Sequence, residues 1–477
     1  MQTPTQSVTP HPVRPAEFPP GPSALRYVSI YCQEGFNFLR LAKRLFQTYG
    51  DIVHVKVGHR HHYYFNHPAH IEQVLLAGYA LRTSRPPTMR HALGQGIITS
   101  QGELHRTMRG LIQPFFLKPA MVDKALMIVE ENERLLSSWR EGEARDLAEE
   151  MTHLTLAIIL RTLLGTVYND AEMLKTIRRE THTLHQFSHQ NPASHINMMV
   201  ENQCPFARGR TRAGKAKRFL DDLVYREINR RRAAHELDGD DILGTLLRAQ
   251  AAHPELRHFT DRHIRDEVMT MFLAGHETSA SAIAWTWYLL SQHPEAEGRF
   301  HEELDRVLGG RLPRHEDLPN LPYTRMVFME SMRIYPPVWT LGRRPAGDDL
   351  EVGGYRIPNK SMILISPYVT QHDERFFPDP ERFDPTRFTP EAEAKRSRFA
   401  YFPFAQGNRK CIGEPLALME GILSLATIGS RWRLTLVPGH PVEMMPFIAL
   451  KPKHGIKMLL ERREPVLTED AVMQATR

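Results

Sequence analysis

The run Phe404-Ala405-Gln406-Gly407-Asn408-Arg409-Lys410-Cys411-Ile412-Gly413 sets one cysteine between a glycine-containing turn and the start of a helix. A thiolate persists beside a metal only when its charge is stabilised. A cysteine just ahead of a helix sits at the positive end of the helix dipole, where backbone N–H groups can donate to sulfur. Gly407 and Gly413 are expected to let the backbone turn and approach closely. Phe404, seven residues before the sulfur, is placed to shield it from water, and Arg409 to pair with an anionic cofactor group. Pro415 is tolerated because it falls in the first helical turn. A lone cysteine is more simply a small buried hydrophobe, but that reading leaves the surrounding Phe, Gly and Arg unexplained. The run therefore reads as a socket for a large thiolate-held cofactor in an oxidative enzyme.

A second constellation, Ala274-Gly275-His276-Glu277-Thr278-Ser279, lies in the middle of a long apolar helical stretch. An acid and a hydroxyl there need a reason, because unpaired polar burial is costly. Gly275 is expected to widen the helix and admit a ligand, with Glu277 and Thr278 handling protons. The plainer alternative is a kink, with Thr278 bonded back to the preceding turn. His105 and Arg109 are four apart near a helix start and share a face, and Glu330 and Arg333 are three apart and can meet. Without other support both pairs would be ordinary surface features. His54, His59, His61, His62, His67 and His70 invite a metal reading, but they fall on a hairpin with no carboxylate or cysteine among them and are read as exposed hairpin residues.

The spacing FxxGxRxCxG around Cys411 matches the heme-binding signature of the cytochrome P-450 family at every fixed position. The chain resembles that family over nearly all its length after a proline-rich start. The resemblance implies heme b, with Cys411 as the axial thiolate ligand of its iron. It makes the stretch from Ala274 to Thr278 the oxygen-activation motif, with Glu277 and Thr278 as the catalytic pair. Ala274, Gly275, Phe404, Gly407 and Gly413 become heme contacts. His105, Arg109 and Arg409 become propionate anchors, joined by Arg343 or Arg344; counting from Pro336-Pro337 favours the first, and counting back from Gly353-Gly354 the second. Glu330-Ser331-Met332-Arg333 resembles the family's ExxR element and Pro380-Glu381-Arg382-Phe383 its later arginine motif. Glu330, Arg333 and Arg382 are thus expected to form a structural triad behind the cysteine loop.

The implied activity is that of a monooxygenase that activates dioxygen and hydroxylates or epoxidises a lipophilic small molecule, with terpenoids, fatty acyl chains and polyketides all fitting. No flavin or iron–sulfur segment is apparent, so electrons are expected from a ferredoxin or flavodoxin and its NAD(P)H-dependent reductase, docked on Lys410, Arg106 and Lys118. The pocket is expected between residues 79–101, Met271 and Phe272, the segment Val338–Leu341 with Trp339 as a shape filter, and a turn at Phe447-Ile448. Alternatives are a peroxygenase or isomerase on the same heme, whose acid–alcohol pair is often altered, and a non-catalytic heme sensor.

Composition is consistent with this. The 477 residues are 41% hydrophobic, enough for a substantial core. A net charge of +6 is small for the length, and the basic runs at Arg208–Arg218 and Arg230–Arg232 are interleaved with Asp221, Asp222 and Glu227, so a solvated helix face is favoured over nucleic acid. The three cysteines, Cys32, Cys204 and Cys411, form no paired motif, which argues against a disulfide framework or a zinc ribbon. Residues 1–22 hold seven prolines and neither a membrane-length apolar run nor a signal-peptide pattern. A cytoplasmic monomer without a membrane anchor is expected: a tail at 1–22, one domain at 23–465 and a tail at 466–477.

The elements that must position these residues are mainly helical, with a minor β part in small antiparallel sheets. Helical spacing is seen at 36–49, 68–76, 121–139, 144–165, 170–189, 212–236, 240–250, 261–292, 294–308, 322–335 and 412–430. Strands are expected at 52–57 with 63–65, at 350–352, 355–357 and 362–365, and within 433–462. Residues 79–101 read as an irregular loop.

Overall fold

The computed structural model describes residues 18–84, 87–117, 120–165, 171–188, 211–237, 239–252, 259–446 and 449–464. Fourteen helices matter here: α1 (Ala24–Gln33), α2 (Phe38–Tyr49), α3 (Pro68–Leu76), α4 (Pro87–Leu93), α5 (Gly102–Ile112), α6 (Met121–Leu136), α7 (Leu147–Leu164), α8 (Ala171–Ser188), α9 (Arg212–Ala233), α10 (Ile242–Ala252), α11 (Asp261–Gln292), α12 (Pro294–Leu308), α13 (Pro322–Ile334) and α14 (Glu414–Gly429). The strands are β1 (Ile52–Val57), β2 (Arg60–Phe65), β3 (Leu81–Thr83), β4 (Ala144–Asp146), β5 (Leu341–Pro345), β6 (Leu350–Val352), β7 (Tyr355–Ile357), β8 (Met362–Ile365), β9 (Trp432–Leu436), β10 (Met444–Pro446), β11 (Leu450–Pro452) and β12 (Lys457–Arg462).

Local chemistry explains most boundaries. Pro68 opens α3 and His67 caps it, its Nδ1 accepting from Ala69 N–H. Gly50, at φ 88°, closes α2. Pro322 opens α13, which ends at Ile334, just ahead of Pro336-Pro337. Two expectations need correction. Residues 79–101 are not irregular throughout, since β3 and α4 lie inside them. The sheets are not all antiparallel: the five-stranded one runs β1-β2-β8-β5-β3, and its β2–β8 pair is parallel.

Helix α11 is buried on almost every side, so its apolar residues show no single stripe. It packs chiefly on α7, α13, α9 and α14, and α14 lies against both α11 and α6. Trp285 and Trp287 are fully buried on α11. The Trp285 ring stacks on Tyr335 at 4.0 Å, and its Nε1 donates to Leu450 O at 2.9 Å. This ties the helix to β11.

The triad behind the cysteine loop differs from expectation in one member. Arg333 and Glu330 are both at zero exposure and paired in a fork, Nε to Oε2 at 2.7 Å and the second guanidinium nitrogen to Oε1 at 2.9 Å. Arg333 also donates to Gln371 O and to Arg382 O. Arg382 thus contributes a carbonyl, and its residue is exposed. The guanidinium that approaches Glu330 belongs to Arg387, at 3.5 Å from Oε1. The sequence offered Pro385-Thr386-Arg387-Phe388 as a second Pro-x-Arg-Phe run, five residues after the one chosen.

The histidines are not simply exposed. Only His59 is; His54, His61, His62, His67 and His70 are partly buried. The Phe18 ring stacks on His54 at 4.5 Å and on His61 at 5.1 Å, and His54 N–H donates to Pro20 O. Gly21 lies so close to β1 that a Cβ would meet the His54 carbonyl at 1.7 Å. The hairpin therefore holds down the end of the proline-rich segment.

Stripping Arg333 leaves a buried carboxylate unpaired, so Arg333→Met should lower stability by about 3–5 kcal/mol. Arg382→Met keeps the carbonyl and should change stability by about 0.5 kcal/mol or less. Urea unfolding compares them, and equal losses would restore the triad read from sequence. Burial first, then His61, His62 and Lys56, holds the His54 pKa down at about 4 against an ordinary 6.5. The folded state therefore favours the neutral ring, and this contribution is complete above about pH 6.5 and lost as pH falls toward 4. The melting temperature of His54→Phe should fall less steeply than wild type across that window.

Candidate active site

The cysteine loop is closed by its own backbone. Cys411 N–H donates to Phe404 O at 2.8 Å, and Lys410 N–H to Gly407 O at 3.0 Å. Gly407 has φ 73°, and a Cβ there would stand 2.3 Å from Leu75 O, so both conformation and space call for glycine. The same reason fails for Gly413. Its φ is −84°, and a Cβ would lie 3.9 Å from the Cys411 sulfur, an ordinary contact.

Cys411 is exposed, and what it is exposed to is a cavity between the cysteine loop and α11. Packed protein around it pushes its thiol pKa up; the N–H groups of Gly413 and Glu414, donating to sulfur, and the charge of Arg109 push it down. The N–H donors at the start of α14 are thus present as the sequence suggested, but desolvation outweighs them.

Ala274, Gly275 and Thr278 line the opposite wall. Helix α11 stays α-helical through Gly275, so the expected widening does not occur; Gly275 instead faces Ile159 of α7. Thr278 makes the plainer bond, Oγ1 to Ala274 O at 2.7 Å. Glu277 does not line the cavity. It is buried and paired with Lys451 of β11, Nζ to Oε1 at 2.5 Å. Neighbours on a helix project about 100° apart, so the acid and the hydroxyl face different ways.

The cavity gathers nitrogen donors along its lining, three of them cationic. His105, Arg109, Arg343 and Arg409 all line it. His105 is buried, 3.2 Å from Tyr79 Oη, and burial with Arg409 and Arg109 beside it holds its pKa at about 4. Arg109 donates to Lys410 O, and Arg409 to Ile97 O, Ser100 O and Gln101 Oε1. The choice between Arg343 and Arg344 follows from strand parity. Arg343 is buried and faces the cavity, while Arg344 faces away among Arg60, Arg82 and Arg90.

Of the expected pocket residues, Met271, Val338, Leu341, Thr83, Ile97 and Ile98 line the cavity. Phe272 does not; it stacks on His276. Trp339 packs toward Phe38 of α2 rather than filtering shape. Phe447-Ile448 and Lys118 lie outside the described residues. Sequence reading missed Phe116, Ile158, Ile159 and Ile242, and also Glu420, a fully buried acid that lines the cavity, bonds with Ser279 and has its pKa pushed up to about 8 by burial. A single acid inside the apolar run 416–428 was the available signal.

The residues fit a flat, dianionic, thiolate-held cofactor. Sulfur stands on one side, apolar walls on the other, and donors sit at an edge where Arg409 Nε is buried with no hydrogen-bond partner. A family model, cytochrome P-450, matches residues 19–460. The chain belongs to the cytochrome P-450 family.

Cytochrome P-450 proteins carry heme on a cysteine thiolate and this one is an oxidoreductase of the monooxygenase class. It is 38% identical over 397 residues to cyclooctat-9-en-7-ol 5-monooxygenase of Streptomyces melanosporofaciens, covering 82% of this chain and 84% of that one. It is 36% identical to cyclooctatin synthase of the same organism, over 84% of this chain and 87% of that one. Pentalenene oxygenase of Streptomyces avermitilis is 30% identical, over 88% and 92%. The crystal structure of the "cytochrome P450DA heme domain" shares the fold with a TM-score of 0.79 at 23% identity, covering 94% of this chain and 98% of that one. Among the described residues no helix is long and apolar enough to cross a membrane.

The cysteine loop gives a paired test of its glycines. Gly407→Ala should cost more than about 1 kcal/mol and loosen heme retention, while Gly413→Ala should stay within about 0.5 kcal/mol in stability. Thermal melting and the heme-to-protein absorbance ratio report both.

Proposed function

We propose that this cytochrome P-450 inserts one oxygen atom into a terpenoid, as a hydroxyl or an epoxide, with Cys411 as the axial thiolate. One observation carries the reading: a largely apolar cavity with the Cys411 sulfur on one side and the Thr278 helix wall on the other. Three relatives whose names denote oxidation or synthesis of cyclooctatin- and pentalenene-type compounds favour terpenoids over fatty acyl chains and polyketides.

Heme, when bound, supplies dioxygen activation and electron transfer. Hydroxylation joins one oxygen atom to carbon and releases the other as water, consuming two electrons and two protons. The protein's part is positional. The N–H groups of Gly413 and Glu414 donate to the Cys411 sulfur and stabilise its anion. His105, Arg109, Arg343 and Arg409 meet the acid groups at the cofactor edge. The Thr278 hydroxyl turns from Ala274 O toward the cavity to hold or pass a proton. Glu277, to act as the proton source, has to exchange Lys451 for water on that side. Ile97, Ile98, Ile158 and Met271 exclude bulk water around the substrate.

Electrons are assigned to a ferredoxin or flavodoxin with its NAD(P)H-dependent reductase, docking on the Cys411 side. There Lys410 already pairs with Glu414, which neutralises part of the patch, while Arg106 keeps its charge over the Tyr79 ring at 5.0 Å.

The test is the carbon monoxide difference spectrum of wild type and Cys411→Ala. Wild type should give the strongly red-shifted Soret band of a thiolate-ligated heme, and the variant should lose it. A histidine-type band in wild type sinks the assignment. Spin-state titrations with terpenoid, fatty-acid and polyketide probes then report on substrate class, with the largest shifts expected from the terpenoids.

A further inference from the structure

The cavity-facing stripe of α11 starts with an acid. Met271, Ala274 and Thr278 line the cavity, and Glu267 stands on the same helical face, four residues before Met271. It is at zero exposure, within the buried run Arg265-Asp266-Glu267. All three side chains reach the segment 92–97 that precedes α5. Arg265 donates to Ala92 O at 3.1 Å, Gln95 N–H donates to Asp266 Oδ2 at 2.8 Å, and Ile97 N–H donates to Glu267 Oε2 at 3.0 Å. Arg265 is itself held by Asp221 of α9 and by Asp266.

Ile97 and Ile98 line the cavity, and their backbone is fixed at three points. Glu267 holds Ile97 N–H, Arg409 donates to Ile97 O at 3.3 Å, and Thr83 Oγ1 donates to Ile98 O at 3.1 Å. Arg409 belongs to the cysteine loop and Thr83 to β3, whereas Glu267 ties the wall to the helix that carries Thr278. Loop and helix lie close: a Cβ at Gly96 would overlap the Thr270 hydroxyl and stand 2.5 Å from Asp266 O. Burial raises the Glu267 pKa to about 8, against the bond from Ile97 N–H and with the charge of Asp266, so the carboxyl is mostly neutral at pH 7. A buried N–H left without an acceptor is costly. Without Glu267 the loop therefore moves to find another partner for Ile97.

We propose that Glu267 is a positioning residue for substrate choice: by holding Ile97 N–H it fixes the Ile97–Ile98 wall, and the fixed wall makes the cavity favour a rigid cyclic terpenoid over an open-chain one. This rests on the terpenoid monooxygenase reading above. A wall of fixed shape can match a ligand whose shape is also fixed, while an open chain must give up rotamer freedom to fit it. A wall released from α11 adapts to either ligand, and the difference between them shrinks. Glu267 acts through Ile97 and does not itself touch the substrate.

Spin-state titrations of the heme-loaded protein test this with matched tertiary alcohols: cedrol against nerolidol among sesquiterpenes, and manool against geranyllinalool among diterpenes. Wild type should bind the cyclic member of at least one pair about tenfold more tightly, a difference that a few immobilised rotors supply. Glu267→Leu should bring that ratio to about one, and Glu267→Gln, which keeps a carbonyl for Ile97 N–H, should preserve it. Amide hydrogen exchange at Ile97 should be slow in wild type and Glu267→Gln and about tenfold faster in Glu267→Leu. Gly96→Ala displaces the same loop and leaves the acid in place, so it too should lower the ratio, and it decides the matter where the leucine variant does not fold. Wild type with no cyclic preference in either pair overturns the proposal. So does a Glu267→Leu or Gly96→Ala protein that keeps the preference, or a Glu267→Gln protein that loses it. The carbon monoxide spectrum separates the two readings. A wild type without the thiolate band removes the enzyme assignment, whereas one with the band and no preference removes only the role of Glu267.

Discussion

The guanidinium of Arg333 is the contact on which the cysteine loop depends. It is at zero exposure, so each of its donors needs a partner inside the protein. It takes the Glu330 carboxylate of its own helix and the carbonyls of Gln371 and Arg382. The Gln371 side chain then returns to the end of α13, its amide donating to Met332 O and Arg333 O, while its Oε1 accepts from Phe402 N–H. Two residues on, Phe404 O receives the N–H of Cys411. A continuous set of hydrogen bonds thus runs from a buried ion pair to the backbone of the cysteine. Breaking the pair would release the loop as well as expose a charge, which is why a residue without chemistry of its own can decide whether the sulfur is correctly placed.

The cavity divides its polar and apolar work by side. Its cations come from α5, β5 and the cysteine loop; Arg109 and Arg409 crowd His105, and burial together with their charge keeps it neutral. That crowding is unfavourable for the protein alone and becomes favourable against an anionic cofactor edge. The wall formed by α11 and α7 is largely apolar. The two residues of the expected proton-handling pair are both held by protein partners, Thr278 by its own helix and Glu277, off the cavity wall, by Lys451. Reactive groups are thus stored in closed pairs.

Signals that act within a few residues were legible in the sequence. Pro68, Gly50 and Pro336-Pro337 mark the bounds of α3, α2 and α13, and Cys411, Gly407 and Arg409 fall where the socket required. What was not legible depended on tertiary partners. Arg382 and Arg387 each sit in a Pro-x-Arg-Phe run, and only the approach of Glu330 separates them. Residues 144–146 continue a helical pattern into α7, yet they form β4 because β12 pairs with them. Lys451, remote in sequence from Glu277, gave no sign of its pairing.

Parity shows why one-residue questions of this kind close only in three dimensions. On β5, consecutive side chains point to opposite faces. Arg344 lies directly across from Arg82 on β3, a like-charged neighbour, with Arg60 and Arg90 adding to it. Arg343 sits one step along the strand and opens on the cavity. A register shift of a single residue would exchange these environments, placing the crowded cation at the cavity and the other among arginines. The register is set by the β5–β8 pairing of Leu341 with Ile365 and Arg343 with Ile363, whose buried apolar side chains resist such a slip. Two counting rules from flanking motifs gave different answers because neither contained that pairing, which is the physical quantity that decides between them.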